Sequence, residues 1–258
     1  MSQEFLEAID ARPRYITEVK KLTLPKELRK GGRINFIWTL VTFGLLAFEW
    51  PLGLVSAGGQ AAWTIRLNRS PQGVARKNFI LANHAGYAGK YREALDYYRS
   101  SLDALPDLDE VYPLMGDVYF KKGQIRQGIQ AYKGYLSENP GNHIQRIKLL
   151  FILMSEGLYE EFLALMESLP HDVLHDFLLS ILKAFALLQL GKPDQAEKVL
   201  DDIPESELEG EGKDMPLNYL RGRAYLLKGD RDRARKHLRQ VVETKDDFMD
   251  AGKLLKSS

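Results

Sequence analysis

His171 and His175 are the closest approach to a chemical motif in this sequence. They stand four positions apart in "HDVLH", so a helix would bring both imidazoles to one face, where two imidazoles can begin a metal site. Such a site needs a third ligand and supporting hydrogen bonds, and Asp172 and Asp176 are near only in sequence. A helix start beside Pro170 accounts for the same residues without a metal. The sequence therefore predicts no metal site.

Catalytic chemistry is equally hard to place. The neighbouring carboxylates Glu160 and Glu161 would point in different directions on a helix, so they do not suggest an acid/base pair. No glycine-rich phosphate loop or nucleophile elbow occurs, and the absence of cysteine removes thiolate nucleophiles and disulfides together. The 36 Lys and Arg residues balance 35 Asp and Glu, so no global field would attract nucleic acid. We expect a non-catalytic protein with no cofactor and no nucleic-acid partner.

The elements that could position a binding surface come from an internal repeat. Gly89, Gly123, Gly157 and Gly191 are spaced 34 residues apart, and Gly229 follows after 38. A small or apolar residue lies seven positions before each glycine and a large one lies nine positions after it, at Ala82, Gly116, Leu150, Ala184 and Gly222 and at Tyr98, Tyr132, Met166, Leu200 and Leu238. This register predicts pairs of closely packed helices, the first of each pair ending at its glycine.

Two stretches carry the repeat most clearly, "ANHAGYAGKYREALDYYRSSLDALP" (82–106) and "YPLMGDVYFKKGQIRQGIQAYKGYLSENP" (112–140). Here the sequence resembles the tetratricopeptide repeat (TPR) family. The resemblance implies an all-α fold: a TPR solenoid of about five helix pairs over residues 75–258, closed by a C-terminal capping helix within residues 247–256. An apolar, membrane-associated helical segment is expected before it.

The resemblance also implies where a partner would bind. Partners of this family usually lie in the concave face, which is made from the first helix of each pair. The residues predicted to line this partner-binding groove are Phe79, Asn83, Phe120, Ile147, Phe151, Met154, Ile181, Phe185, Leu188 and Tyr219. Helical spacing turns Arg223 into the same groove.

A groove this apolar is expected to be covered. The cover is either an amphipathic helix or extended peptide from another protein, or the chain itself, through closure of the solenoid or a folded-back N-terminal segment. The carboxylate clamp known in this family is not predicted. Asn83 matches one of its places, but Phe79, Leu114 and Ile144 occupy others.

The apolar stretch lies before the repeats. The residues between positions 33 and 66 contain one ionisable side chain, Glu49. A bilayer core takes about 20 apolar helical residues, so residues 34–66 predict a transmembrane or membrane-inserted segment. The favoured form is a single span from Phe36 to Val55, with a kink at Pro51 and Glu49 as an intramembrane polar residue. A hairpin turning at "EWP", and two helices packed on the first repeat, remain alternatives.

Residues 1–33 form a basic, amphipathic arm that predicts short surface helices on lipid headgroups or on a partner. The basic residues before the apolar stretch outnumber those after it, which assigns the N-terminus to the cytoplasm. We therefore expect a membrane-anchored, non-catalytic TPR scaffold. Its partners would be other membrane-complex subunits or an amphipathic peptide, with lipids contacted through residues 34–66. The alternatives are a soluble TPR adaptor with a buried apolar segment and an accessory subunit of a membrane enzyme complex.

Overall fold

The computed structural model describes residues 2–9, 25, 28, 38–39, 41–42, 50–170, 176–204 and 213–258, and of residues 50–55 the backbone only. The helices with assigned bounds in these ranges are α1 (Ser2–Ala8), α2 (Trp50–Arg69), α3 (Pro71–Tyr87), α4 (Tyr91–Ala104), α5 (Val111–Lys121), α6 (Ile125–Glu138), α7 (His143–Ser155), α8 (Tyr159–Met166), α9 (Phe177–Gln189), α10 (Pro193–Asp201), α11 (Asp214–Lys228), α12 (Arg231–Thr244) and α13 (Ala251–Ser257). No β-strand occurs in the described ranges. The all-α expectation is confirmed.

The periodic glycines do what their spacing predicts. Gly89, Gly123, Gly157, Gly191 and Gly229 all have positive φ, between 68° and 81°, which is the left-handed region that a residue with a Cβ enters at a cost. After each glycine, the next backbone N–H donates at 2.9 Å to the carbonyl five residues before it, which closes the end of the first helix. The repeat is therefore built by five equivalent turns.

Helices within a repeat approach closely at the predicted small residues. A Cβ built on Gly116 of α5 would lie 2.6 Å from the Tyr132 ring on α6. A Cβ built on Gly222 of α11 would lie 2.7 Å from the Leu238 side chain on α12. Both distances are too short for a methyl group, so glycine sets the helix spacing at these two crossings.

The C-terminal end of the repeats is capped as predicted, by α13 after the turn at residues 246–250. Phe248 is buried there and packs edge-on against the Tyr219 ring, with 5.5 Å between centroids. The Tyr219 hydroxyl donates to Oδ1 of Asp250 at 2.6 Å. These contacts cover the apolar surface that the last helix pair would otherwise expose.

The chain divides into two compact units. We call Val19–Gln145 the N-terminal unit, and Met1–Glu18 together with Arg146–Ser258 the C-terminal unit. The repeats of residues 75–258 are thus shared between the two units, and the boundaries expected at residues 33, 66 and 75 stay predictions.

The predicted single span from Phe36 to Val55 is wrong in form. The Thr42 hydroxyl lies 2.7 Å from the Ser56 hydroxyl, and the Trp38 indole N–H donates to Ser56 at 3.2 Å. In one continuous helix residues 14 apart would be separated by about 21 Å, so Thr42 and Ser56 do not lie on one continuous helix. The Trp38 and Trp63 rings also meet, at 6.3 Å. This pairing of the described residues fits both alternative expectations, a hairpin and two helices packed on the first repeat.

Pro51 is the second residue of the described part of α2, and the residues just before Trp50 lie outside the described residues, so the kink expected at Pro51 stays a prediction. Helix α2 continues through Gln60 and Arg66 to Arg69, so its second half carries two charged side chains. None of the helices in the described residues is long and apolar enough to cross a bilayer. Glu49, predicted as an intramembrane polar residue, lies outside the described residues.

Candidate partner-binding groove

Helix α1 occupies a slot between two predicted groove residues of the C-terminal unit. The Phe5 ring stacks on the Phe185 ring of α9, with 4.1 Å between centroids and 12° between planes. It also lies 6.2 Å from the Tyr219 ring of α11. Phe5 is fully buried and Leu6 is 3% exposed, whereas Glu4 and Glu7 face solvent. The slot therefore accepts one apolar edge of a short amphipathic helix.

The slot is part of a longer row of aromatic side chains. Tyr159 meets the Phe185 ring edge-on at 6.2 Å, and Tyr219 continues the row to Phe248. Burial raises the pKa of the Tyr219 hydroxyl well above its usual value, and the bond to Asp250 adds to the shift. The Tyr219 side chain is therefore uncharged at physiological pH, and the bond to Asp250 fixes the orientation of the ring that lines the slot.

Polar donors lie one helical turn beyond the two rings. Arg223 follows Tyr219 by four residues on α11, and its guanidinium carbon lies 5.9 Å from the Phe185 centroid and 5.8 Å from the Tyr219 centroid. Gln189 follows Phe185 by four residues on α9. In the structure, Nη1 of Arg223 and Nε2 of Gln189 are both buried without a hydrogen-bond acceptor. We call Phe185, Gln189, Tyr219 and Arg223 the α1 site.

The other groove residues predicted in the C-terminal unit are largely buried. Phe151, Met154, Ile181 and Leu188 are at most 3% exposed, and Ile147 is partly exposed. Most of the apolar face expected from the sequence is thus covered. Of these predicted residues, Phe185 and Tyr219 meet Phe5 through their rings.

The groove residues predicted in the N-terminal unit pack within their own repeats. Phe79 is buried against Tyr98, with the rings edge-on at 6.1 Å. The Asn83 amide oxygen accepts a hydrogen bond from the Tyr98 hydroxyl at 2.5 Å, and its amide nitrogen donates to the Phe79 carbonyl at 2.9 Å. Both polar groups of the Asn83 side chain are therefore bonded within the protein. Phe120 packs on the Tyr132 ring at 5.8 Å. Their role in binding a partner stays a prediction.

Three apolar side chains of the arm are buried against the protein itself. Phe5 and Leu6 are buried in the C-terminal unit, and Leu28 is 1% exposed in the core cluster of the N-terminal unit with Phe79 and Ala82. Burial is favoured because each large apolar side chain gains about 1.5–3 kcal/mol by leaving water. The adjacent apolar pair Phe5 and Leu6 among charged residues indicates burial from the sequence alone, but the sequence does not say against which helices the pair packs.

Metal and acid/base chemistry gain no support in the described part of the chain. No group of three or more His, Asp or Glu residues there is arranged to hold a metal ion. His171 and His175 lie outside the described residues. Asp176 caps α9, because its side chain accepts the Leu179 backbone N–H at 3.1 Å, and this explains a carboxylate at that position.

Repeated antiparallel helix pairs closed by left-handed glycines define a helical-repeat protein with a peptide-sized slot on one unit. The family model described as "Tetratricopeptide repeat" matches residues 81–143, and a second model with the same description matches residues 216–248. Residues 81–143 and 216–248 are therefore tetratricopeptide repeats. None of the curated proteins matches the sequence.

The comparison with solved structures finds several partly similar chains. MamA MSR-1 C2 is 19% identical, with a TM-score of 0.48 over 68% of this chain and 93% of that one. A thermophilic TPR protein in Thermus thermophilus is 17% identical, with a TM-score of 0.40 over 71% and 97% of the two chains. A tetratricopeptide repeat protein from Parabacteroides merdae is 17% identical, with a TM-score of 0.41 over 98% of each.

Proposed function

We propose that this protein is a non-catalytic interaction scaffold whose C-terminal unit binds an amphipathic helix from a protein partner at the α1 site. The observation that carries the proposal is the Phe5 ring stacked at 4.1 Å on Phe185 and flanked by Tyr219. A segment outside the repeats supplies that ring, so the slot already binds a helix that is not part of the solenoid.

The size of α1 supports this function. Its seven residues are too few to be helical alone, because an isolated helix shorter than about 12–15 residues is marginal in water. Contact with the slot therefore holds α1 in shape. Two adjacent apolar anchors on a short helix, with charged residues facing solvent, are typical of recognition in which a helix lies in a groove.

A peptide-binding measurement tests the proposal. The receptor is the full chain with Phe5→Ala and Leu6→Ala, which empties the slot without shortening the protein. The probe is a fluorescein-labelled, amide-capped peptide of residues 2–9, SQEFLEAI. We expect saturable binding by fluorescence anisotropy, weaker binding to the unmodified chain, whose slot is occupied, and none for a peptide with Phe5→Ser. A folded receptor that ignores the first peptide would contradict the proposal.

A second candidate function adds a membrane tether to the same scaffold. It is favoured by the described residues of the apolar stretch, which meet as the two arms of a hairpin would. Thr42 and Trp38 bond to Ser56 and so use their polar groups internally, while Val41 and Ile65 are exposed. Such a hairpin would lie in the lipid interface and place the scaffold beside other subunits of a membrane complex, with Glu49 available to contact one of them. In the competing form, an adaptor, the hairpin packs on protein instead.

Vesicle flotation separates the two forms. The full chain is mixed with phosphatidylcholine vesicles containing anionic lipid, and Val41→Asp with Ile65→Asp is the matched variant because both side chains are about half exposed. A tether predicts flotation of the unmodified chain and loss of flotation in the variant. A chain that stays at the bottom of the gradient would remove the tether and leave the scaffold.

A further inference from the structure

The α1 site has a polar half that α1 leaves unused. Nη1 of Arg223 and Nε2 of Gln189 are buried donors without an acceptor in the structure, one turn beyond the rings that hold Phe5. Buried N–H groups are normally hydrogen-bonded, and leaving one unpaired costs about 1–3 kcal/mol, with charged groups at the upper end. The site therefore contains two donors that a better ligand would satisfy.

Helix α1 does not provide the missing acceptor. Its carboxylates, Glu4 and Glu7, are exposed, on the side of the helix away from the buried pair Phe5 and Leu6. The guanidinium of Arg223 lies over the faces of the two slot rings and also hydrogen-bonds the Tyr219 hydroxyl, while its Nη1 has no acceptor. Neither contact is as strong as a bond to a carboxylate. α1 thus fits the apolar half of the site and leaves the polar half unmatched.

We propose that the natural ligand of the α1 site is a partner helix that carries an aromatic–aliphatic pair together with a carboxylate side chain one helical turn from the aromatic residue. The aromatic ring takes the place of Phe5 between Phe185 and Tyr219. The carboxylate accepts hydrogen bonds from Arg223 and Gln189. This proposal rests on the proposed function, and it assigns α1 the role of a resident occupant that the partner displaces.

The displacement follows from mass action. While α1 fills the site, only the fraction of molecules with an empty site can bind a partner, so the apparent affinity falls by that fraction. A partner whose carboxylate pairs with Arg223 makes an interaction that α1 lacks, and this interaction compensates for the affinity lost to competition with α1. The site would therefore discriminate against helices that offer only the apolar pair, because they gain nothing over the resident segment.

Acidic versions of the α1 peptide test the proposal. The receptor is again the full chain with Phe5→Ala and Leu6→Ala. In an amide-capped SQEFLEAI peptide, Ser2→Glu and Ala8→Glu each place a carboxylate one turn from Phe5, on its two sides, and Ser2→Gln and Ala8→Gln are the uncharged controls. We expect one Glu peptide to bind about tenfold tighter than its Gln control, as for one charge-assisted hydrogen bond. Arg223→Met in the receptor should abolish that gain, so that the Glu peptide and its Gln control bind this receptor equally.

The outcomes separate this proposal from the proposed function. If the parent peptide binds and neither Glu peptide binds tighter, the carboxylate requirement is overturned and the scaffold function stands. If no peptide binds a folded receptor, both fail. Should Arg223→Met disturb the fold by circular dichroism, Gln189→Leu replaces it, with a smaller expected loss of about threefold for one neutral hydrogen bond. A concentration-dependent dimer of the unmodified chain in sedimentation velocity, lost on Phe5→Ala with Leu6→Ala, would assign the site to a second copy and overturn the partner assignment.

Discussion

Replacing Phe5 by alanine should release α1 from the C-terminal unit without unfolding the repeats. Phe5 is fully buried and stacks at 4.1 Å on Phe185, so its truncation removes nearly all of one large apolar contact. A buried Phe→Ala change costs about 3–5 kcal/mol. The two anchors Phe5 and Leu6 together gain about 3–6 kcal/mol from burial, so Leu6 alone would not hold the helix.

The cost to global stability should stop at the docking free energy of α1, because the repeats do not need α1 to form their helix pairs. Peptide-resolved hydrogen exchange measures the local effect directly. A loss of about 3 kcal/mol corresponds to more than a hundredfold fall in protection, at about 1.4 kcal/mol per factor of ten. We therefore expect the amides of residues 6–9 to lose at least this factor or reach the rate of an unstructured peptide, while those of α9 and α11 retain theirs.

Gln3→Ala is the control, since Gln3 is exposed on the same helix and should leave protection unchanged. The reasoning is refuted in either of two ways. Protection of residues 6–9 could be equal in the Phe5→Ala protein and the unmodified protein, which would mean that the stacked ring does not hold α1. Alternatively, Phe5→Ala could abolish protection throughout the C-terminal unit, which would make α1 an integral part of its core.

Three further predictions concern the repeats. A Cβ on Gly134 would meet nothing within 4 Å, so Gly134→Ala should stabilise the protein by about 0.5–1 kcal/mol in chemical denaturation. A Cβ on Gly116 would lie 2.6 Å from Tyr132, so Gly116→Ala should be neutral or destabilising by up to about 2 kcal/mol. Equal stabilisation by both would contradict the close helix crossing. Gly123→Ala has the space but forces φ near 75° on a residue with a Cβ, and should cost about 1–2 kcal/mol in thermal or chemical unfolding; no loss would count against the left-handed turn. Burial lowers the pKa of His237, so the unfolded chain takes up a proton at a higher pH than the folded protein does. The free energy of unfolding is therefore unaffected by this group above about pH 6.5 and decreases as the pH falls below it. His237→Gln should flatten the fall in stability between about pH 7 and 5 in urea titrations, and an unchanged slope would argue against a buried neutral imidazole.

The candidate site was partly readable from the sequence. Phe185, Tyr219 and Arg223 were predicted on one groove because first-helix positions four residues apart share a face, and the structure brings these three side chains together. Phe79 and Phe120 followed from the same rule, yet they pack onto Tyr98 and Tyr132 of their own repeats. Spacing identifies the face of a helix, but it does not say whether the facing side chain belongs to the same repeat.

The sequence by itself determined the repeat. The spacing of the glycines, the small residues before them and the large ones after them specify each turn and each helix crossing through contacts between residues close in the chain, so no distant information is needed. Gly89 and Gly229 can therefore be assigned the same conformation from their local context, and both have positive φ.

Only the tertiary structure decided what covers the groove and how the apolar stretch is arranged. Phe5 meets Phe185 across 180 residues, and Thr42 meets Ser56 although a single span would keep them apart. Both outcomes depend on which distant apolar surface a segment buries. The free energy of burial is non-directional and nearly the same for lipid, a partner or another part of the chain, so hydropathy alone cannot choose among them.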